Sequence, residues 1–152
     1  MSDDLDALED WIGPLIERLQ PAERRKLARD IAQVLRKRQA ARIKRQENPD
    51  GSPFAPRKPQ AREQAGAIRR GVMFAKIRQA KYLKGRGQAD AATVGFAGRV
   101  ARIARVHQYG LRDNVDRNGP WHDYPERRLL GYSDADRAVV RDMILERIGG
   151  AL

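Results

Sequence analysis

Leu5, Leu8, Ile12, Leu15 and Leu19 recur at steps of three and four residues, which places them along one side of a helix, and Trp11 and Ile16 widen the stripe. Asp3, Asp4 and Asp6 stand in its first turn, where negative charge complements the helix dipole. Gly13-Pro14 interrupts the pattern, and a kink or break is expected there because proline removes a backbone donor and clashes with the preceding turn. Gln20-Pro21 restarts the chain, proline being well tolerated at a first helical position. Residues 21–46 are strong helix formers without glycine. Leu27, Ile31, Val34, Leu35 and Ile43 give this second helix a narrow apolar stripe, with a back of Arg and Lys, Arg42 included, expected to face solvent.

The helical pattern stops at Asn48-Pro49-Asp50-Gly51-Ser52-Pro53, a run of turn residues. Pro53, Pro56 and Pro59 then mark residues 51–66 as an extended loop, one that the Pro49-Asp50-Gly51 turn is expected to aim away from the body. Between 67 and 97 two readings compete. Val72, Phe74, Ile77 and Tyr82, followed by Ala92, Val94 and Phe96, suggest two strands around a Gly85-Arg86-Gly87 turn, while a short helix over 68–80 is the rival. A helix over 99–109 puts Val100, Ile103, Ala104 and His107 on one face and ends at Gly110. Residues 111–125 read as a loop with one short strand near 121–124. Ser133-x-x-Asp136 has the spacing of a capping box for a last helix whose apolar face is Val139, Val140, Met143, Ile144 and Ile148, ended by Gly149-Gly150. The pattern reads as long N-terminal helices, a small antiparallel sheet and a C-terminal helix, in a single domain over 1–152 with a helical region 3–46, a basic Pro-rich loop 47–66 and a body 67–149.

Composition sharpens this picture mainly through charge. The chain of 152 residues carries a net charge of +11. Residues 51–105 hold 13 Lys/Arg against only Glu63 and Asp90, while the flanking thirds are close to neutral. A concentrated basic zone attracts DNA, RNA or an acidic protein face. There is no cysteine, which removes disulfides and thiolate metal sites and suits a reducing cytosol. No apolar run approaches the roughly 18 residues that a membrane span needs, and the acidic N-terminus does not resemble a secretory signal. A soluble protein, made in the bacterial cytoplasm and without a membrane partner, is the expectation.

Catalytic and metal-binding patterns are weak. His107 and His122 are the only histidines, 15 positions apart and without cysteines, so a zinc site is not expected and no cofactor is called for. His107 lies on an apolar helical face and reads as a core or interface residue; His122 lies in a loop with no nucleophile motif beside it. Gly85-x-Gly87 lacks the Lys-Ser/Thr ending of a phosphate loop. Arg69, Arg70, Lys76, Arg78, Lys81, Lys84 and Arg86 interleave with Phe74 and Tyr82, which keeps nucleic-acid binding open, although a core role suits both aromatics. No enzyme class emerges.

Three segments carry a family resemblance. Arg42-Ile43 followed by Asn48-Pro49-Asp50-Gly51-Ser52-Pro53-Phe54-Ala55-Pro56-Arg57-Lys58 resembles the helix-end and loop motif of phage virion morphogenesis proteins. Ile103-Ala104-Arg105-Val106-His107-Gln108-Tyr109-Gly110 resembles their His-Gln-aromatic-Gly motif. The segment from Tyr124-Pro125 to Leu130-Gly131-Tyr132-Ser133 resembles the one that precedes their last helix, departing at Arg128, where an aromatic is expected. The order and spacing fit over about residues 20–148. The resemblance implies a small α+β, non-enzymatic component of contractile-tailed phages, one that completes the tail and helps join it to the head. It implies a homo-oligomeric ring, partners among tail tube, tail terminator and head connector proteins, DNA contact in the neck channel, and a place in the host cytoplasm during assembly and then in the virion tail or neck. Its motif residues here are Pro49, Asp50, Gly51, His107, Gln108, Gly110, Pro125, Leu130 and Gly131. The residues expected to meet an acidic partner are Arg57, Lys58 and Arg62, with Arg69 and Arg70 as further candidates.

Overall fold

A computed structural model describes residues 3–58, 71–114 and 117–150, with backbone only at 3–6, 8 and 9. Among the described residues, four helices and two small antiparallel sheets make an α+β fold. The helices are α1 (Asp3–Ile16), α2 (Pro21–Lys44), α3 (Val100–Tyr109) and α4 (Asp134–Gly150); the strands are β1 (Leu83–Gly87), β2 (Ala92–Phe96), β3 (Arg112–Asn114) and β4 (Trp121–Asp123). β1 pairs with β2, and β3 with β4.

By contact the chain divides into two units, the first made of Met1–Leu35, Gly85–Thr93 and Asp134–Leu152, the second of Arg36–Lys84 and Val94–Ser133. In the first unit Ile12, Leu19, Leu27, Ala28, Ile31, Ala32, Leu35 and Ile148 are buried. The stripe of α2 therefore includes two alanines, and they have a specific use. A Cβ on Gly85 would lie 2.6 Å from the Ala32 carbonyl oxygen, and one on Gly87 2.2 Å from the Arg29 nitrogen. The two glycines, alternate residues on one face of β1, let that strand lie directly on the helix backbone, and Gln33 Nε2 fastens it by donating to the Gly85 carbonyl at 3.2 Å. Arg147 of α4 pairs with Asp30 of α2 at 2.8 Å. Leu19, Leu27 and Met143 floor an open cleft of about 570 Å³, rimmed by charges of both signs.

The second unit has a core of Ile43, Phe54, Ile77, Val100, Ala104 and Leu129, against which Met73, Phe74, Tyr82 and Phe96 pack. The β3–β4 ladder aligns Arg112 with Asp123, Asp113 with His122 and Asn114 with Trp121, and a further bond from Tyr124 N–H to the Leu111 carbonyl (3.1 Å) extends it.

Several expectations change. α1 continues through Gly13-Pro14 and ends at Ile16, because a proline in the last turn removes little from a helix that is about to stop. Gly85-Arg86-Gly87 is strand rather than turn, for the close approach just described, and the chain reverses over 88–91, where Gln88 N–H meets the Ala91 carbonyl at 2.7 Å. The proposed strand through Phe74 and Ile77 is a series of turns over 73–82. Part of the rival helix, 68–70, lies outside the described residues, as does loop 59–66. Ile103 is half exposed on α3 while Val106 is buried in its stead. β3 was not legible as a strand at all. The side chains of Leu5 and Leu8 also lie outside the described set.

Candidate functional site

The three motifs meet in the second unit, around the segment 127–131. This stretch is not part of any strand, so its backbone groups need partners from elsewhere. Arg127 N–H finds the His107 carbonyl at 2.7 Å, and the groups of 128–131 find theirs largely in side chains. Arg128 N–H donates to Asn48 Oδ1 at 2.9 Å. Arg42 donates to the carbonyls of Arg128 (3.1 Å) and Leu129 (2.9 Å). Gln108 accepts from Leu130 N–H at 2.9 Å and donates to its carbonyl at 2.8 Å. Gln39 does the same for Gly131, at 3.3 and 2.9 Å. A third glutamine repeats the device nearby, with Gln46 accepting from Met73 N–H and donating to the Met73 carbonyl, both at 2.9 Å. A primary amide offers one donor and one acceptor side by side, so it pairs with one residue's backbone as a neighbouring strand would.

Two arginines carry the largest consequence. Arg42, expected on the solvent side of α2, is 5% exposed. Besides Arg128 and Leu129 it donates to the Glu47 carbonyl (2.9 Å) and to Gln39 Oε1. It stands in the last turn of α2, where the helix dipole favours a cation. Arg127, 4% exposed, donates to the carbonyls of Ala55 (2.6 Å) and Pro56 (2.9 Å). Its Nη1 stands 3.1 Å from His107 Nδ1, which therefore accepts and leaves the imidazole neutral with its proton on Nε2. Burial, then the charges of Arg127 and Arg57, push the His107 pKa down from 6.5 to about 4, in agreement with that geometry.

His107 is also the middle of a ring series. Phe54 meets Phe74 edge-on at 5.8 Å, Phe74 meets His107 at 4.8 Å, and His107 meets Tyr124 at 5.1 Å. Phe74 has φ +66, a left-handed conformation that a bulky residue adopts only when its surroundings impose it; the Gln46 clasp on Met73 and the ring series supply that constraint.

The remaining motif residues shape turns. Asn48 N–H donates to the Ser52 carbonyl (2.8 Å) and Gly51 N–H to the Asn48 carbonyl (2.9 Å), while Asp50 accepts from Ser52 N–H at 2.9 Å. The Ser52 hydroxyl, and after it the Ser52 N–H, holds the Asp50 carboxyl below its ordinary 3.8. Pro49 is buried. This turn does not lead the chain away from the body: Phe54 N–H bonds the Gln46 carbonyl at 2.7 Å and the Phe54 ring enters the core, because a buried phenyl outweighs the cost of ordering a short loop. Gly110 ends α3 with φ +59, its N–H on the His107 carbonyl and Leu111 N–H on that of Val106. A Cβ there would also lie 2.9 Å from Glu126 N. Pro125 is exposed, as is Arg128, so an arginine at that position meets water rather than a packing demand.

Of the residues expected to face a partner, Arg57 is half-buried and donates to the Gly71 carbonyl at 3.1 Å, and Lys58 is exposed. Arg62, Arg69 and Arg70 lie outside the described residues. Sequence reasoning missed Gln39 and Gln46, and placed Arg127 in a motif without giving it a role. A glutamine or arginine in a helix or loop carries no local mark of burial; the faint signal was Gln39 standing three residues before Arg42, on the same helical face. No group of His and carboxylate able to hold a metal occurs among the described residues. No helix there is long and apolar enough to cross a membrane.

Comparison with known proteins gives this geometry a context. Residues 3–149 match the phage virion morphogenesis family. The chain is 38% identical over 142 residues to tail completion protein S of Escherichia phage P2, covering 92% of this chain and 94% of that protein. No solved structure matches.

Proposed function

Since the chain belongs to the phage virion morphogenesis family, we propose that it is a structural tail-assembly protein that completes the phage tail and helps join it to the head through protein–protein contacts. The observation that carries this reading is the 38% identity to a tail completion protein along nearly the whole of both chains. The clamp suits the task. Buried arginines and paired glutamines fix an irregular backbone in one conformation, which a rigid assembly part needs and a shifting catalytic loop does not. His107 is turned to Arg127 and enclosed by rings, a poor situation for a general base. In this reading the protein acts as a ring against tail tube, tail terminator and head connector, with Arg57 and Lys58 steering an acidic face into register.

The test is a phage genome from which the gene is deleted. Lysates should contain full heads and unattached tails in electron micrographs, and the protein supplied in trans should restore joined virions. Joined, infectious particles in its absence would overturn the proposal. A second reading, nucleic-acid binding, rests on the 13 Lys/Arg facing two carboxylates over 51–105. It requires duplex or single-strand binding that weakens steeply with salt and is lost on charge reversal at Arg69, Arg70 and Lys76.

A further inference from the structure

The outward side of α3 carries Arg102, Arg105 and Tyr109 at helical spacings of three and four, all exposed, with Tyr109 at 64%. Arg102 bonds Asp113 and reaches Asn114 Oδ1 at 3.2 Å, and Asn114 stands across the ladder from Trp121, itself 59% exposed. Every residue of β4 is exposed. A two-stranded ribbon with so little buried is marginal in water on its own. This face therefore combines two large aromatics, unpaired strand edges and an arginine stripe, the composition of a protein interface core rather than of a solvated surface.

A DNA phosphate backbone fits it less well, because it is charged throughout and offers no apolar surface to cover Tyr109 and Trp121. An acidic, apolar-anchored helix fits better, and the chain contains one. Residues 1–17, most of them in α1, hold six Asp/Glu and no Lys or Arg. Trp11 of α1 is 59% exposed, and Asp10 and Glu17 are exposed as well. A ring built from one kind of chain needs two different, complementary patches on each copy. We infer that α1 of one copy docks through Trp11 and its carboxylates on the Arg105–Tyr109–Trp121 face of the next copy, giving a head-to-tail contact. This rests on the ring reading above and names its surfaces.

The experiment is sedimentation of the full chain, wild type and two variants, at low and high salt. Asp10→Lys with Trp11→Ser removes the helix side; Arg105→Glu with Tyr109→Ser removes the other. All four positions are exposed, and circular dichroism checks that each variant is folded. Wild type should form a closed oligomer, and each variant should need roughly thirtyfold more protein to assemble, the effect of losing an interface anchor. Mixing the two variants should give a dimer and nothing larger, since each retains the surface the other lacks. If wild type assembles and both variants assemble equally well, the docking inference is wrong and the ring stands. A wild type that stays monomeric overturns the ring and the docking together. A shift that appears only with DNA, is abolished by Arg105→Glu with Tyr109→Ser and is indifferent to Asp10→Lys with Trp11→Ser, would assign the face to nucleic acid and overturn the inference.

Discussion

In the first unit a strand rests on a helix with no side chain between them at Gly85 and Gly87, and the surrounding core is aliphatic. In the second, the segment 127–131 is as firmly placed, yet its neighbours are polar ends: two arginines and two glutamines spread over main-chain carbonyls and amides. Both solutions satisfy backbone groups and exclude water. They differ in what they tolerate. Close backbone packing forbids any added atom but asks little of side-chain chemistry. A side-chain clasp leaves room but requires each donor and acceptor, because every lost partner strands a buried polar group.

The sharpest break in this comparison is Arg42→Met. The volume stays similar, but the carbonyls of Glu47, Arg128 and Leu129 lose a donor, at a cost of about 3 kcal/mol or more. Urea unfolding measures it, and a loss under about 1 kcal/mol would mean that water takes over the guanidinium's role. Next comes Gly87→Ala in the other unit, where a Cβ 2.2 Å from the Arg29 nitrogen must push the strand off the helix. About 2–3 kcal/mol is expected by thermal or urea melts, in line with overpacking. Gln108→Ala removes two bonds to Leu130 and should cost about 2 kcal/mol. Gln108→Glu keeps the acceptor but sets a carboxylate against a carbonyl, so it should not rescue.

The pH response is the mildest probe. His107 titrates near 6.5 when unfolded and near 4 when folded. The unfolded chain binds the extra proton between those values, so stability is constant in this respect above 6.5 and falls as pH drops toward 4. The urea midpoint should be lower at pH 5 than at pH 7, and His107→Phe should flatten that difference. Asp113, held below 3.8 by Arg102, contributes evenly across this window, and its contribution is lost only as pH falls below 3.8.

The helices show how far local pattern reaches. α2 begins at Pro21 and α3 ends at Gly110, because the first needs no amide hydrogen and the second a left-handed backbone, properties a residue has wherever it is placed. β2 was legible from its alternation, and α4 from its apolar face. The family was legible too, since motif order and spacing are properties of the chain. What stayed hidden were the partners those motifs take. Gly85-Arg86-Gly87 looks like a turn until α2 is beneath it. Arg42 looks like one more cation on a basic helix until the carbonyls of Glu47, Arg128 and Leu129 close over it. The sequence by itself determined where α2 starts and α3 stops, the charge imbalance and the family. The tertiary structure alone decided which arginines are buried, which glycines touch a helix, and that 127–131 is held without a strand. The reason is that burial and long-range hydrogen bonds depend on residues as far as 117 positions away, of which local periodicity carries no trace.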